Sequence, residues 1–310
     1  MAEPARYRAD PVTTHRAWHA EGPMWDSRTG KLIYVDQFDG LVNVASWDPV
    51  AGALGIGRTL KVGHPVGAVV PTDQASGWMT AARHGFVWLG DDGSTVLLGQ
   101  PAEADDTPTR MNDGKCDPWG RFWAGTITGS KTIPGAALYR LGTDLTVRRM
   151  LTGVTTSNGL AWSGDRRTMF YIDTPTGRVD RFDLDADGDI VRREPAVVVD
   201  GPGVPDGMCI DDEGCLWVAL WKGHAVRRYS PAGTLLATVD VAAPHVSSCA
   251  FGGDGSTLFI TTSQHGLDAG ARSRYPDSGR VFAVGLDVTA PPAAAFTPAP
   301  DAVRRIEDRT

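Results

Sequence analysis

Residues 110–126 read Arg-Met-Asn-Asp-Gly-Lys-Cys-Asp-Pro-Trp-Gly-Arg-Phe-Trp-Ala-Gly-Thr, and this stretch decides the fold because its pattern recurs along the chain. A polar residue followed by glycine opens an apolar run, and a turn then leads into a second apolar run. Two apolar runs around a turn are typical of a β-hairpin. The polar side chains at its start, Arg110, Asn112 and Asp113, are the first candidates for a functional site.

The same pattern, which we call the phrase, occurs six times along the chain. Four of the copies are clear and two are weaker. The copies begin at Glu21, Val66, Asp113, Asn158, Asp206 and Ser247. Their intervals of 41–48 residues match one propeller blade, since blades run about 40–50 residues. Further alternating hairpins follow, and helical periodicity is scarce. The sequence therefore predicts an all-β fold, a six-bladed β-propeller with four-stranded blades around a central channel. The alternative is an irregular β-sandwich in which the spacing arises by chance.

The composition describes a globular protein and argues against several classes of partner. The 310 residues are 42% hydrophobic and 22% charged, with a net charge of −7 and no basic cluster. Neither a nucleic acid nor an anionic membrane is therefore expected as a partner. The 37 glycines and 21 prolines are spread along the chain, as in folds with many short strands.

We expect one domain over residues 1–310, with a loosely attached tail at 291–310 that is rich in alanine and proline. The N-terminal residues lack the apolar segment of a signal peptide, and no apolar run approaches the roughly 18 residues that span a bilayer. The four cysteines have no CxxC spacing, so we expect reduced, core-packed thiols in a cytoplasmic protein. The expected assembly is a monomer or a weak homo-oligomer.

Equivalent positions of the innermost strands converge near the axis of a propeller. Four of the six phrases begin with an oxygen donor: Glu21, Asp113, Asn158 and Asp206. Converging carboxylates repel one another, and a hard divalent cation relieves this repulsion. The glycine that follows in five phrases is expected to let a ligand approach the backbone closely. The alternative is that Asp-Gly and Asn-Gly are simply turn dipeptides.

Taken together, the phrases resemble the senescence-marker-protein/gluconolactonase/luciferin-regenerating-enzyme family. The segments that carry the resemblance are Glu21-Gly-Pro-Met-Trp, residues 110–126, Ser157-Asn-Gly-Leu-Ala-Trp162, Pro205-Asp-Gly-Met208, Leu216-Trp-Val-Ala-Leu-Trp221 and Ser247-Ser-Cys-Ala-Phe-Gly-Gly253. The resemblance implies a six-bladed propeller with one catalytic divalent cation, either Ca²⁺ or one of Mn²⁺, Mg²⁺, Zn²⁺ and Fe²⁺. It also implies hydrolysis of a small sugar (aldono) lactone to the aldonic acid, as in gluconolactonases.

The resemblance also assigns roles to single residues. By motif, the metal ligands fall on Glu21, Asn158 and Asp206. Substrate contacts fall on Arg110 and Asn112, while Asp113 lies beside the metal and holds a coordinated water. Asp206 resembles the family's catalytic base, which takes a proton from the attacking water.

One departure concerns the substrate. In the animal lactonase of this family an acidic pair follows Ala-Gly-Thr, and one of its members contacts sugar hydroxyls. Residues 124–130 contain no acid, so the sugar, its ring size and the groups that replace the acidic pair stay open. Two alternative functions stay open as well. One is a hydrolase of a non-sugar lactone, ester or phosphotriester, and the other is a non-catalytic calcium-binding propeller.

The sequence also predicts the structure of three further segments. Residues 183–194 match the EF-hand calcium loop, but strand-like residues precede them and Pro195 follows, which predicts a hairpin turn instead. Residues 264–278 predict a loop insertion in the last blade, either a partial lid over the channel or an idle surface loop. Residues 1–17 are expected to supply a strand that closes the ring.

Overall fold

The six repeated phrases form the innermost strands of six sheets in the computed structural model, which describes residues 3–63, 65–73, 76–83, 85–101, 109–130 and 133–308. In each sheet the strand that carries the phrase lies at one edge and pairs antiparallel with the strand that follows it in the chain. The sheets are held together by contacts between neighbouring innermost strands around the ring. The fold is the predicted six-bladed β-propeller.

The strands follow one another blade by blade. Two short N-terminal strands come first, β1 (Ala5–Arg8) and β2 (Asp10–Pro11). Blade 1 contains β3 (Ala20–Asp26), β4 (Lys31–Asp36), β5 (Leu41–Asp48) and β6 (Ala53–Lys61). Blade 2 contains β7 (Val66–Pro71), β8 (Trp78–Ala82), β9 (Gly85–Leu89) and β10 (Thr95–Gly99). Blade 3 contains β11 (Thr109–Cys116), β12 (Phe122–Thr128), β13 (Ala136–Leu141) and β14 (Val147–Val154).

The second half of the ring repeats this order. Blade 4 contains β15 (Ser157–Trp162), β16 (Thr168–Asp173), a 3₁₀ turn (Thr174–Thr176), β17 (Arg178–Leu184) and β18 (Ile190–Val198). Blade 5 contains β19 (Val204–Ile210), β20 (Leu216–Trp221), β21 (Ala225–Tyr229) and β22 (Leu235–Asp240). Blade 6 contains β23 (Val246–Gly252), β24 (Thr257–Thr262), helix α1 (Ala269–Arg274) and β25 (Phe282–Gly285), and helix α2 (Pro300–Glu307) ends the described chain.

The N-terminal strands close the ring, as expected. Strand β2 pairs antiparallel with β25, with Asp10 opposite Ala283, and is the fourth strand of blade 6. Strand β1 pairs parallel with β22 and adds a fifth strand to blade 5. Because a strand from the start of the chain completes the last blade, the ends of the ring are joined by backbone hydrogen bonds.

The C-terminal segment differs from the loose tail that its composition predicts. Phe296 and Ile306 are buried in the core cluster shared by blades 1 to 3. The backbone of Phe296 donates to Pro71 O at 2.8 Å, and that of Thr297 donates to Gly120 O at 2.9 Å. The prediction of loose attachment was wrong because two apolar side chains and ordered backbone bonds fix a segment whose overall composition is that of a linker.

The segment that matches an EF-hand is a hairpin turn between β17 and β18, as predicted. Asp185 Oδ1 accepts hydrogen bonds from the backbone of Asp187 and Asp189, and Asp183 pairs with Arg181 and Arg192. These carboxylates are engaged by backbone amides and arginines within the blade.

Candidate active site

A β-bulge recurs at one position of every innermost strand. The strand register shifts between Glu21 and Met24, Val66 and Ala68, Met111 and Gly114, Ser157 and Leu160, Pro205 and Met208, and Val246 and Ser248. A bulge places two residues opposite one and changes the direction in which a side chain points. The predicted site residues Asn112, Asp113, Asn158 and Asp206 all lie within these irregular steps, and Glu21 borders one.

The glycines beside these positions have a different role from the one expected. A Cβ on Gly67 would lie 1.9 Å from Asn112 O, and one on Gly207 would lie 2.1 Å from Ser248 Oγ. Both atoms belong to the next blade. Glycine is therefore required because neighbouring innermost strands approach each other closely at the axis. The expectation that it makes room for a ligand was wrong at these positions.

Three carboxylates converge at the axis with very little exposure to solvent. Glu21, Asp113 and Asp206 are 3%, 5% and 6% exposed. Burial raises the pKa of Glu21 well above its ordinary value, and the charges of Asp206 and Asp113 raise it further. Burial, followed by the charge of Asp113, likewise raises the pKa of Asp206 well above its ordinary value. The three side chains are therefore close enough to oppose one another's ionisation.

Few hydrogen-bond donors serve these carboxylates. Glu21 Oε2 accepts from the backbone of Gly22 at 2.7 Å, and Asp113 Oδ1 accepts from that of Gly114 at 2.7 Å. In the described parts of the chain, no donor serves the carboxylate of Asp206 and no lysine or arginine forms an ion pair with any of the three. The pKa of Asp113 is raised by burial, an effect that the charge of Lys115 partly offsets.

An amide chain runs across the site from blade 3 to blade 5. Arg110 Nη1 donates to Asn112 Oδ1 at 3.0 Å, and Asn112 Nδ2 donates to Asn158 Oδ1 at 2.8 Å. Asn158 Nδ2 donates in turn to Thr174 Oγ1 at 2.7 Å, and that hydroxyl donates to Pro205 O at 2.8 Å. The amide of Asn158 is therefore held with its oxygen toward Asn112.

Asn112 uses both hydrogens of its amide group within the protein. The second hydrogen goes to Ser157 O, also at 2.8 Å, and the oxygen is taken by Arg110. Asn112 therefore lies in the cavity wall with its amide donors already engaged. Its side chain orients Arg110 and Asn158.

A cavity of about 650 Å³ opens above this floor. Its lining includes Glu21, Arg110, Asn112, Asn158 and Asp206, which sequence analysis had singled out. Asp113 is buried and does not contribute to the lining. Burial lowers the pKa of Arg110 to about 10, so that its guanidinium is still charged at neutral pH.

The cavity wall contains rings that sequence analysis did not select. They are His19, Phe38, Trp221, His245 and His265. These residues come from blades 1, 5 and 6 and from the insertion at 264–278, which thus contributes to the cavity.

The donor set at the floor fits a hard divalent cation. Glu21, Asn158 and Asp206 offer two carboxylates and one amide oxygen, which are the ligand types of Ca²⁺, Mg²⁺ and Mn²⁺. Within the described residues, no group of three or more His, Cys, Asp and Glu side chains has a metal-binding arrangement. The predicted set is of another kind, because its third ligand is an amide. The mutual repulsion of the buried carboxylates is what a cation would relieve.

Two further observations concern the cysteines and the length of the helices. All four cysteines are buried and free, as expected, and Cys209 Sγ lies 3.6 Å from Cys249 Sγ. In the described part of the chain, no helix combines the length and the apolarity that crossing a membrane requires.

Comparisons with known proteins agree with this architecture. The family model described as "SMP-30/Gluconolactonase/LRE-like region" matches residues 19–264. Regucalcin of Danio rerio is 40% identical over 285 residues, which cover 89% of this chain and 94% of that protein. YvrE of Bacillus subtilis, whose name describes it as a proposed sugar lactone lactonase, is 36% identical over 276 residues and covers 88% and 92%. A structure of luciferin-regenerating enzyme superposes with a TM-score of 0.82 at 30% identity, covering 92% of this chain and 97% of its own.

Proposed function

The chain belongs to the SMP-30/gluconolactonase/LRE-like family, and on that premise we propose that it is a divalent-metal-dependent lactonase that hydrolyses a small sugar lactone to the aldonic acid. The observation that carries the proposal is the group of buried, mutually repelling carboxylates at the floor of a substrate-sized cavity. The names of the family and of its members support lactone hydrolysis as the reaction class. The buried carboxylates support a divalent cation at the floor of the cavity.

Glu21, Asn158 and Asp206 are the residues that would hold the cation. When bound, a divalent cation acts as a Lewis acid toward the lactone carbonyl and lowers the pKa of water. The chain itself supplies a pre-arranged anionic floor, because folding buries the carboxylates and removes the water that would otherwise solvate them. The amide chain through Asn112 and Thr174 keeps the oxygen of Asn158 in place.

Asp206 is the proposed general base. Its carboxylate lines the cavity and accepts no hydrogen bond from the described residues, so its lone pairs are available to a water proton. Asp206 takes this proton while the water oxygen bonds to the lactone carbonyl carbon. The ring ester C–O bond then breaks, and the leaving alkoxide oxygen receives the proton from Asp206.

Arg110 is the proposed partner of the developing oxyanion. Its guanidinium lines the cavity and is held by Asn112 Oδ1 and by Met111 O, both at 3.0 Å. The Arg110 side chain also lies over the ring of Phe38, at 5.1 Å from the ring centroid. A cation fixed in a poorly solvated cavity stabilises negative charge more strongly than one in water.

The test is a metal-dependent lactonase assay on the wild-type protein and two isosteric variants. The chelated protein is supplied with Ca²⁺, Mg²⁺, Mn²⁺, Zn²⁺ or Fe²⁺, and glucono-1,5-lactone hydrolysis is measured above its spontaneous rate. We expect activity with at least one metal, a loss of about 10²–10⁴-fold in kcat for Asp206→Asn, and a loss of about 10–100-fold in metal affinity for Glu21→Gln. Asp200→Asn, on the exposed approach to β19, serves as the control and should match the wild type.

Two outcomes would contradict the proposal. Turnover of aryl esters or phosphotriesters without turnover of any aldonolactone would assign the site to another ester chemistry. Metal binding by calorimetry without lactone turnover under any metal would identify a non-catalytic binding propeller.

A further inference from the structure

The wall of the cavity on the side of blades 1, 5 and 6 is a continuous set of rings. His19 stacks on Phe38 with ring centroids 5.1 Å apart, and Phe38 lies 4.6 Å from His265. His19 also meets Trp221 edge to face at 5.5 Å. Trp221 and His245 stack nearly parallel, at 4.1 Å and 13°. We refer to His19, Phe38, Trp221, His245 and His265 as the ring wall.

The hydrogen bond of His245 determines which of its ring nitrogens carries the proton. Nδ1 lies 2.9 Å from the backbone oxygen of His265, and a carbonyl oxygen can only accept. Nδ1 must therefore be the donor, which leaves Nε2 of the neutral imidazole as an acceptor. Burial lowers the pKa of His245, which favours this neutral form. In the described part of the chain Nε2 has no protein partner.

His19 is held in the ring wall through Ser263. Its Nδ1 forms a hydrogen bond with Ser263 Oγ at 2.7 Å, and the same hydroxyl lies 3.3 Å from Trp18 O.

The ring wall combines an acceptor nitrogen with flat carbon surfaces. Among the described residues that line the cavity, Glu21 and Asp206 are the carboxylates, and both belong to its floor. Hydroxyl groups bound away from the floor therefore need another acceptor for their hydrogens. Nε2 of His245 supplies one, and Trp221, which stacks on His245 through one face, offers apolar surface to the cavity beside it.

We propose that Trp221 packs against the substrate ring and that His245 accepts a hydrogen bond from a substrate hydroxyl, so that His245 selects hydroxylated ring lactones over unsubstituted ones. The inference rests on the proposed lactonase function and assigns two residues of the cavity wall to substrate recognition. A lactone ring with hydroxyls on the carbons remote from the carbonyl places its ester at the floor and its hydroxyls at the ring wall.

The test compares two lactones of equal ring size, glucono-1,5-lactone with its hydroxyls and δ-valerolactone without them. His245→Phe retains a flat ring that can stack on Trp221 but removes the acceptor nitrogen. We expect kcat/KM for gluconolactone to fall about tenfold, mainly through KM, because one hydrogen bond is lost. The value for δ-valerolactone should change less than about twofold. His245→Gln restores an acceptor and should recover part of the loss.

Two controls separate specificity from folding. His224→Phe makes the same chemical change on a histidine that contacts Tyr275 and does not line the cavity, and it should leave both substrates unaffected. Trp221→Ala is a second test and should raise KM for both lactones, because both have the saturated ring that this side chain contacts. Thermal unfolding of every variant shows whether the propeller is intact.

The outcomes distinguish this inference from the proposed function. Equal losses on both lactones, or no loss for folded His245→Phe, would overturn the assignment of His245 while leaving lactonase activity intact. A wild-type preference for δ-valerolactone would overturn the substrate class. Hydrolysis of neither lactone with any metal would overturn the proposed function, and this inference with it.

Discussion

Thr174 links the amide of Asn158 to the backbone of the next blade. Its hydroxyl accepts from Asn158 Nδ2 at 2.7 Å and donates to Pro205 O, next to Asp206. An amide oxygen is a good metal ligand only when its orientation is fixed, and outer partners that orient ligands contribute to metal affinity. The threonine is therefore a positioning residue of the proposed metal site.

Replacing this hydroxyl gives a prediction at the residue scale. Thr174→Val keeps the shape of the side chain and removes both hydrogen bonds, so we expect divalent-metal affinity to fall about tenfold by calorimetry. Thr176→Val is the control, because its hydroxyl donates to Asp173 O at 2.7 Å and does not contact the site. Equal affinities for Thr174→Val and the wild type would exclude a positioning role.

Single aspartates also connect strands far from the axis. Asp117 Oδ2 accepts from Trp123 Nε1 and from Arg121 Nε, both at 2.6 Å. Asp211 Oδ2 accepts in the same way from Trp217 Nε1, at 2.9 Å. Each aspartate directly follows the first strand of its blade, and each tryptophan lies on the second strand, six residues later. Part of the motif that resembles a functional site in the sequence therefore stabilises the hairpin through hydrogen bonds between its two strands.

At the scale of elements, the bulge that recurs in the innermost strands and the glycine beside it determine where the candidate site residues lie. All six innermost strands carry the register shift, including those of blades 2 and 6, which contribute no predicted ligand. The bulge is thus a property of the blade, and the predicted ligands occupy positions that the blade geometry already directs toward the axis. The chemistry varies from blade to blade while the backbone path stays the same.

A substitution at Gly207 tests whether neighbouring innermost strands are crowded at the axis. A Cβ there would lie 2.1 Å from Ser248 Oγ and 2.9 Å from Ser247 O, so Gly207→Ala forces two innermost strands apart. We expect a loss of about 1–3 kcal/mol in the free energy of unfolding. It is measured by denaturant titration.

Gly285→Ala is the matched strand control, because a Cβ at that position meets no atom within 4 Å. Its stability should lie within about 0.5 kcal/mol of the wild type. The argument for crowding at the axis fails if Gly207→Ala is as stable as this control. Partial recovery in Gly207→Ala combined with Ser248→Gly would identify the serine side chain as the source of the clash.

For the whole molecule, closure depends on both ends of the described chain. Strand β2 completes blade 6, and the segment around Phe296 crosses to blade 2, where its backbone pairs with Pro71 O. Phe296 is fully buried, and Ile306 of α2 is 1% exposed in the same cluster. The C-terminal segment therefore contributes to the core.

Phe296→Ala tests this contribution. Removing a fully buried phenylalanine should cost about 3–5 kcal/mol of unfolding free energy, since it leaves a cavity between the tail and the blades. Ile133→Ala, at a side chain that is 64% exposed, should change stability by less than about 0.5 kcal/mol. A Phe296→Ala protein with wild-type stability would mean that the tail is dispensable for the propeller.

Repetition made much of this protein predictable from sequence. A blade is a local unit, so the alternation of apolar residues and the turn between two runs predict its strands without knowledge of distant contacts. Equal spacing then implies a ring, and a ring implies that Glu21, Asn158 and Asp206 approach one axis. Those three positions line one cavity in the structure.

Contacts between blades were not predictable in this way, because they depend on which side chains meet after the ring closes. The engaged amide of Asn112, the crowding at Gly207 and the burial of Phe296 all involve partners from another part of the chain. The ring wall is the clearest case, since His19, Trp221 and His265 come from three separate segments without a shared motif. The sequence by itself determined the six-bladed ring and the oxygen-rich axis. Only the tertiary structure decided the surroundings of that axis, because packing between blades has no local periodic signal.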